Sequence, residues 1–350
     1  MMRAKRTTSM DVARKAGVSR SVVSAILNDT PGIGVSQEKR KAVLQAIQEL
    51  GYQVDAQARS MRTGRSNCIA AFGSLDNALF LQVLQGVQRV CMDRGYLVLL
   101  CGSTDEDDMR SDLIDLYRQG RIDGIITKDI TGYQNDDWAE MLYNQQIPAV
   151  SVEGFPNDER MPSVMMDYAA SIRLALEHMY ARVKVSPIYL EMYAGEAYKP
   201  NWGDRERRSA YEEWMAAAGM VPEIWTFNRQ AMNQELIQRL QLQITMHQSA
   251  CILSNWSRGA VGLYRAANKL KLTIGKELYV MAADNTEQVN AHLTPQLSSI
   301  EVPYQEMGAA AAAQVIAIIE GGEQSSDRSK KSSDRSKQWL PAKLVIRESI

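Results

Sequence analysis

The sequence predicts an α/β chain in which a small helical head precedes a larger body built from parallel sheets. Two short helical patterns meet at Gly17, and strand-like apolar runs alternate with helix-length amphipathic stretches after Arg65. The same two parts differ in charge. Residues 1–65 contain 12 Lys and Arg and 5 Asp and Glu and are therefore basic, whereas the whole chain has a formal net charge of -1. A basic head of this kind is suited to nucleic-acid phosphates.

The head begins with a helix-turn-helix pattern. Gly17 stands at the sharp turn, where we expect a positive φ, and Ser19 is the expected N-cap of the second helix. Apolar residues recur at spacings of three and four, namely Val12, Ala13 and Ala16 in the first helix and Val22, Val23, Ile26 and Leu27 in the second. The residues left outward on the second helix are Arg20, Ser21, Ser24 and Ala25, which leave room for a base edge. This helix is therefore predicted to recognise DNA.

The body shows repeated strand and helix units. The first is an apolar run at 68–72, an amphipathic stretch at about 78–94 and a second run at 96–100. Further strand-like segments lie near 124–127, 149–152, 186–191, 250–254 and 278–283. Such βα units predict parallel sheets with helices on both faces, and the length of 350 residues accommodates two of them.

Catalytic and metal-binding motifs are missing from the sequence. The four cysteines and three histidines have no metal-ligand spacing, and no nucleophile elbow, P-loop or dinucleotide fingerprint is present. We therefore expect no enzyme activity, no cofactor and no metal.

The basic N-terminus is followed by no apolar run, and no segment has the length of a membrane span, so we expect a cytoplasmic protein without a membrane partner.

Two blocks of residues carry a family resemblance. The first contains Asp11-Val12-Ala13, Ala16-Gly17-Val18-Ser19, Val23-Ser24 and Leu27-Asn28, and the second contains Leu50-Gly51-Tyr52 and residues 58–64. In order and spacing they resemble the head and hinge of the lactose-repressor family of bacterial transcription regulators. Landmarks of the body follow in the same order, among them Gly86, Ile122-Asp123-Gly124, Ile147-Pro148, Asp167 and Met307-Gly308. The resemblance implies a periplasmic-binding-protein-like body of two lobes with a ligand between them.

The resemblance also implies the division of the chain. We expect a DNA-binding domain at 1–54, a hinge helix and linker at 55–65, and an effector-binding and dimerisation domain at 66–350. Within that domain, the first lobe is expected at about 66–164 plus 303–322 and the second at about 165–302 plus 339–350. Between them lies a tandem copy of six polar residues, so we expect a polar insertion at 323–338.

The predicted DNA contacts follow from the recognition helix and the hinge. Arg20 and Ser21 are the leading base readers, and Ala25 offers a methyl contact where many relatives carry arginine. In the hinge, Met61 matches the apolar wedge of the family, with a solvent-exposed linker methionine as the alternative. A hinge of about seven residues is too short for independent stability, so we expect it to order on DNA in a dimer. The full predicted set is Thr8, Ser9, Ser19, Arg20, Ser21, Ser24, Ala25, Asn28, Arg59 and Met61.

The predicted effector site comes from positions that match the ligand residues of the family. Arg207 precedes an aromatic residue by four, and Asn255 and Asp284 follow predicted strands, whose carboxyl ends bind ligands in doubly wound sheets. Trp256 stands where relatives commonly have aspartate. Its indole ring has two alternative roles, stacking on a ligand or filling space inside the lobe. The full set is Asn77, Phe80, Asp167, Arg207, Asn255, Trp256, Asp284 and Tyr304. A sugar-like effector is favoured over a nucleobase.

These observations predict a homodimeric regulator that binds a palindromic operator in double-stranded DNA, with repression as the favoured sign. Two other functional classes are compatible with the sequence. One is a solute-binding protein or small-molecule sensor without DNA function, and the other is an enzyme on a doubly wound scaffold. The basic head disfavours the first and the missing catalytic motifs disfavour the second. Either effect of the ligand on DNA binding is compatible with the sequence.

Overall fold

The computed structural model divides the chain into two compact units, Met1–Ser66 and Asn67–Ile350. It describes residues 7–27, 34–53, 63–75, 77–102, 106–193, 195, 197–228, 232–286, 288–321 and 337–350. Within these residues, no helix has the length and apolar character needed to cross a membrane.

The first unit is a three-helix head. Its helices are α1 (Ser9–Ala16), α2 (Arg20–Leu27) and α3 (Gln37–Leu50). Thr8 and Asp11 form a capping box at the start of α1, and Gly17 ends that helix with φ 63°, as the sequence analysis expected. A small apolar core joins the helices through Val12, Val23 and Val43, each 0% exposed. One fully buried valine from each helix therefore contributes to the core of the head.

The second unit contains two six-stranded sheets. The first sheet has the order β11-β5-β4-β3-β1-β2 and is parallel throughout. Its strands are β1 (Cys68–Phe72), β2 (Leu97–Cys101), β3 (Gly124–Lys128), β4 (Ala149–Val152), β5 (Ser163–Met166) and β11 (Lys337–Leu340).

The second sheet has the order β12-β10-β9-β8-β6-β7, with β12 antiparallel to β10 and the other pairs parallel. Its strands are β6 (Pro187–Tyr193), β7 (Ile224–Asn228), β8 (Ala250–Ser254), β9 (Leu278–Ala282), β10 (Ser298–Glu301) and β12 (Lys343–Val345). The α/β class with two parallel-sheet lobes is thus confirmed.

Helices connect the strands and form apolar cores with both faces of each sheet. They are α4 (Ala78–Asp93), α5 (Glu106–Arg118), α6 (Asp136–Asn144), α7 (Tyr168–Val183), α8 (Trp202–Ala217), α9 (Met232–His247), α10 (Ser257–Leu270) and α11 (Tyr304–Gly321). On the first sheet, α4 and α11 pack so closely that a Cβ on Gly86 would lie 1.9 Å from the Gln305 carbonyl oxygen. A Cβ on Gly308 would lie 2.0 Å from the Val83 carbonyl oxygen. Glycine at both positions permits this contact.

The chain passes between the two sheets after β5, after β10 and after β11. The sequence predicts an insertion at 323–338 and a return to the second lobe at 339–350. In the structure, Lys337–Leu340 instead forms β11 in the first sheet, with Trp339 opposite Met165. This short strand pairs with the open edge of β5, and the chain then continues to β12 in the second sheet. The position of β11 depends on backbone hydrogen bonding to β5, which the pattern of apolar residues does not reveal. Residues 323–336 lie outside the described part of the chain.

The strand β2 forms an edge of the first sheet and exposes apolar side chains. Leu97 is 72% exposed, Leu100 is 46% exposed and Leu99 is 37% exposed. An apolar edge strand is a surface that proteins normally cover or charge.

Candidate functional site

In the head, the start of α2 brings several of the predicted DNA-binding side chains together. The Arg20 Nε donates to the Ser9 Oγ at 3.1 Å, and the hydroxyl oxygens of Ser19 and Ser21 are 2.7 Å apart. The Ser19 Oγ also accepts from the Val22 backbone N–H at 3.4 Å, in keeping with its expected place before α2. Ser19, Arg20 and Ser21 are exposed and Ser9 is half-buried, so the Arg20 guanidinium and these hydroxyl groups form a polar surface at the junction of α1 and α2.

The structure changes the interpretation of Ala25. Its side chain is only 6% exposed, although the sequence analysis placed it outward as a methyl contact. On a helix, Ala25 lies about 60° from Val22, at the flank of the apolar face, where a short side chain is covered by its neighbours. Thr8 is also engaged in a hydrogen bond within the head, because its Oγ1 donates to the Asp11 carboxylate at 2.7 Å. Ser24 is half-buried.

Three of the predicted DNA contacts, Asn28, Arg59 and Met61, lie outside the described residues, as does the hinge segment 55–62. The head therefore provides structural support for the recognition-helix set only.

In the body, a cavity of about 360 Å³ lies at the carboxyl ends of the strands. Five of the eight predicted effector residues line it: Asn77, Arg207, Trp256, Asp284 and Tyr304. Residues from the first sheet form the facing wall, including Lys128, Asp129 and Thr131. Both lobes therefore contribute polar groups to one shared cavity, which is of the size that small-molecule sites have.

The wall from the first lobe contains a buried ion pair. The Lys128 Nζ lies 2.8 Å from the Glu153 Oε2, and the two side chains are 3% and 0% exposed. The Tyr168 hydroxyl donates to the other oxygen of Glu153, and the Thr131 hydroxyl donates to Glu153 at 3.3 Å. Burial alone raises the pKa of Glu153, but the charge and hydrogen bond of Lys128 outweigh it and lower that pKa overall. This carboxylate is therefore ionised and fully engaged within the protein.

A second ion pair, between Arg110 and Asp129, supports the same wall. The Arg110 Nη2 lies 2.7 Å from the Asp129 carboxylate, which also accepts from the hydroxyls of Thr127 and Ser151 at 2.6 Å each. The guanidinium of Arg110 lies 4.2 Å from the ring centroid of Tyr133. Asp129 is thus held by three donors.

Arg207, which is 6% exposed, is one of two arginines that the second lobe places in the cavity lining; the other is Arg258. The Arg207 guanidinium lies 4.2 Å from the ring centroid of Tyr168, and its Nη1 is 3.4 Å from the Asp204 carboxylate. Burial raises the pKa of Asp204, although Arg207 opposes that shift. Among the described residues, the buried Nε of Arg207 has no hydrogen-bond partner. A ligand oxygen is the kind of group that would satisfy this donor.

Asp284 fixes the start of α10 at the same cavity. Its carboxylate accepts from the Ser257 backbone N–H at 2.6 Å and from the hydroxyls of Ser257 and Thr286. Its backbone carbonyl accepts from the Asn290 Nδ2 at 3.0 Å. Asp284 therefore joins β9 to α10 and has a place in the cavity wall, as the match to family ligand positions led us to expect.

The structure places the remaining three predicted effector residues outside the cavity lining. Asn255 is fully buried, and its amide accepts from the Met192 N–H at 2.9 Å and donates to the Met192 carbonyl at 3.0 Å. Asp167 is exposed and caps α7 by accepting from the Ala170 N–H at 2.8 Å. Phe80 is 2% exposed and covers Gly73. Asn255 and Phe80 are thus engaged within the protein, and Asp167 serves as a helix cap.

Sequence reasoning missed the charged groups of the first lobe. Lys128 is the last residue of β3, Asp129 follows β3 and Glu153 follows β4, and polar residues at strand ends were a signal that could have identified them. Their pairing across neighbouring strands carries no local sequence pattern. Among the described residues, no group of His, Cys, Asp and Glu side chains could hold a metal ion.

Comparison with known proteins assigns both parts of the chain. Residues 8–55 match the bacterial regulatory proteins of the lacI family, and residues 191–350 match the periplasmic binding protein-like domain. The chain therefore combines the DNA-binding domain of the lacI family of bacterial regulatory proteins with a periplasmic binding protein-like domain. With these two domains it is a DNA-binding regulator of transcription and not an enzyme.

Its relatives extend over nearly the whole chain. The ribose operon repressor of Halalkalibacterium halodurans is 27% identical over 346 residues, which cover 98% of this chain and 97% of that protein. The sucrose operon repressor of Pediococcus pentosaceus is 26% identical, with 96% and 97% covered. In fold, the lac repressor dimer bound to operator and the anti-inducer ONPF has a TM-score of 0.72 at 21% identity, with 99% of each chain covered.

Proposed function

We propose that this chain is a homodimeric repressor that reads a palindromic operator through the surface at the start of α2. The observation that carries this proposal is that Arg20 and Ser21 are both exposed at the start of α2, with Arg20 held by a hydrogen bond to the half-buried Ser9. An arginine at the start of a recognition helix can make a bidentate contact to guanine O6 and N7. The hinge at 55–65 and its residues Arg59 and Met61 are proposed to contact the minor groove, and the protein to act in the cytoplasm.

Selection of bound DNA from a random library tests the operator proposal. Arg20→Ala should relax the preference at one base pair per half-site and cost roughly 1–3 kcal/mol on the preferred sequence. The matched control is Lys39→Ala, which should weaken binding about equally on all sequences because a lysine on the head adds only to phosphate attraction. An Arg20→Ala variant with unchanged sequence preference would make Arg20 a phosphate contact and contradict base reading.

The exposed apolar edge at β2 supports the proposed dimer. Leu97, Leu99 and Leu100 lie on one strand, and pairing with a second copy would remove their side chains from water. A twofold-symmetric protein is also what a palindromic operator requires, because each half-site is read by one head.

The cavity between the two sheets is proposed to bind the effector, with Arg207, Asp284, Trp256, Asn77 and Tyr304 as contacts. Most of the charges around it are already compensated by protein partners, namely Lys128 by Glu153, Asp129 by Arg110 and Arg207 by Asp204. A neutral ligand rich in hydroxyls fits this balance, since hydroxyls both donate and accept. The names of the ribose and sucrose operon repressors are consistent with that class.

The effector proposal is tested by anisotropy of a labelled operator in the presence of ribose, sucrose or adenine as probes. Arg207→Ala should abolish the response to the active probe and leave probe-free DNA affinity within about tenfold, or 1.4 kcal/mol. Arg205→Ala, two residues away on the exposed side of α8, is the control and should respond as the wild type does. A full response in Arg207→Ala would place the effector site elsewhere, and a response to adenine alone would replace the sugar-like class by a nucleobase.

A further inference from the structure

A second cavity, of about 410 Å³, lies behind the crossing segment that joins β10 to α11. The first lobe contributes Gln82 from α4 and Glu306 from α11, and the second lobe contributes Asn285, Asn290 and Lys343. Tyr304 lines this cavity and also the cavity proposed for the effector. The two volumes are therefore separated by one short stretch of chain around Val302, Pro303 and Tyr304.

Two buried amide side chains in the lining each have one polar atom without a hydrogen-bond partner among the described residues. Gln82 is 7% exposed and Asn290 is 3% exposed. Within the described residues, the Gln82 Nε2 donor and the Asn290 Oδ1 acceptor have no hydrogen bond. A buried amide group left unsatisfied is costly, by an amount comparable to a lost hydrogen bond, and a bound molecule is one way to satisfy it. One unpaired donor and one unpaired acceptor in the same lining indicate a ligand that can both accept and donate.

The charges around this second cavity favour a neutral ligand. The Arg347 Nη2 lies 2.8 Å from the Glu301 carboxylate, and the Arg347 Nη1 donates to the Leu297 carbonyl and the Ser299 hydroxyl. Its guanidinium is thus occupied by protein oxygens. The remaining charged lining residues, Lys343 and Glu306, have opposite signs and contribute no net charge. An anion would find no uncompensated excess of positive charge here.

We infer that this second cavity is a binding site for a small, neutral, hydroxyl-rich molecule, separate from the effector cavity. A hydroxyl can accept from the Gln82 Nε2 and another can donate to the Asn290 Oδ1, so one chemical class meets both needs. The volume lies within the range of about 300–1,000 Å³ that small-molecule sites occupy.

The walls of the second cavity also connect it to the first. Asn290 donates to the backbone carbonyl of Asp284, whose carboxylate lies at the effector cavity. Asn285 accepts from the Val302 N–H at 2.9 Å and so holds the crossing segment. Since the lining comes from both lobes, a molecule bound here favours the lobe arrangement in which its contacts form.

Titration calorimetry on the full chain tests this inference, with ribose, glucose and sucrose as separate probes and glucose 6-phosphate as the charged comparison. We expect a class of binding sites that persists in Arg207→Ala. Gln82→Met, which removes the unpaired donor and keeps the length of the side chain, should weaken that class at least tenfold. Gln88→Met is the matched control, because Gln88 is exposed on the same helix, and it should leave the affinity within twofold. Thermal unfolding of each variant checks that the fold is retained.

The possible outcomes separate this inference from the proposed effector site. Binding that Arg207→Ala abolishes completely, or that Gln82→Met leaves unchanged, overturns the second site. No heat with any neutral probe, or tighter binding of glucose 6-phosphate, overturns the hydroxyl-rich neutral class. If Arg207→Ala changes no binding while Gln82→Met weakens it, the second site stands and the proposed effector cavity fails.

Discussion

Replacing Lys128 by methionine is expected to destabilise the body strongly, because it leaves the Glu153 carboxylate buried without its cation. The pair is 2.8 Å apart with almost no exposure, so its attraction at an effective dielectric constant of 20 is about 6 kcal/mol. Part of that attraction offsets the desolvation of both ions, and breaking a buried pair typically costs about 3–5 kcal/mol. We expect a loss of this size in the free energy of unfolding, measured by urea denaturation at pH 7.5.

The pH dependence of this loss gives a sharper test. In the wild type the pKa of Glu153 is lowered, so its contribution is present above the unfolded value of about 4.3 and is lost as the pH falls through the folded value. Without Lys128, burial raises the pKa of Glu153 above the unfolded value of about 4.3. The penalty in Lys128→Met should then grow as the pH rises above that unfolded value, by up to about 1.4 kcal/mol per pH unit.

Two further variants complete the design. Lys128→Met/Glu153→Gln should recover most of the lost stability, since no charge is then left unpaired and glutamine can keep a bond to Tyr168. Arg118→Met, which breaks an ion pair with both side chains 57% exposed, should leave stability nearly unchanged. Equal destabilisation of Lys128→Met at pH 5 and pH 8, together with no recovery in the double variant, would refute the reasoning.

Three other predictions follow from packing and backbone geometry. Gly17→Ala should destabilise the head by about 1–2 kcal/mol in calorimetry, because φ 63° is strained for alanine although no atom lies within 4 Å of its Cβ, and Gly17→Asn should lose less. Asn255→Ala should cost about 1–3 kcal/mol in urea unfolding without changing effector affinity, since its amide bonds only Met192; a changed affinity would restore Asn255 as a ligand contact. Leu100→Lys should shift the protein towards monomer in sedimentation, whereas Leu174→Lys, at an exposed leucine of α7, should not; an unaffected dimer would move the interface away from β2.

The sequence by itself determined the elements whose signals are local. The head could be predicted because apolar residues spaced by three and four, a turn glycine and an N-cap serine act over fewer than ten residues. Strands such as β3 and β8 could be predicted because continuous apolar runs indicate burial on both faces of a parallel sheet. The less apolar β11 carries no such run, and its place in the first sheet required the open edge of β5.

The candidate site was decided mainly by tertiary structure. Asn255 and Asp284 both follow strands, yet only Asp284 lies in the cavity wall. The Asn255 amide is instead hydrogen-bonded to the backbone of the neighbouring strand β6. Lys128 and Glu153 are 25 positions apart and become partners only when β3 and β4 pair in register. The carboxyl ends of parallel strands bring together residues that are distant along the chain, so the pairing of their charges is a property of strand order, which local sequence patterns do not encode.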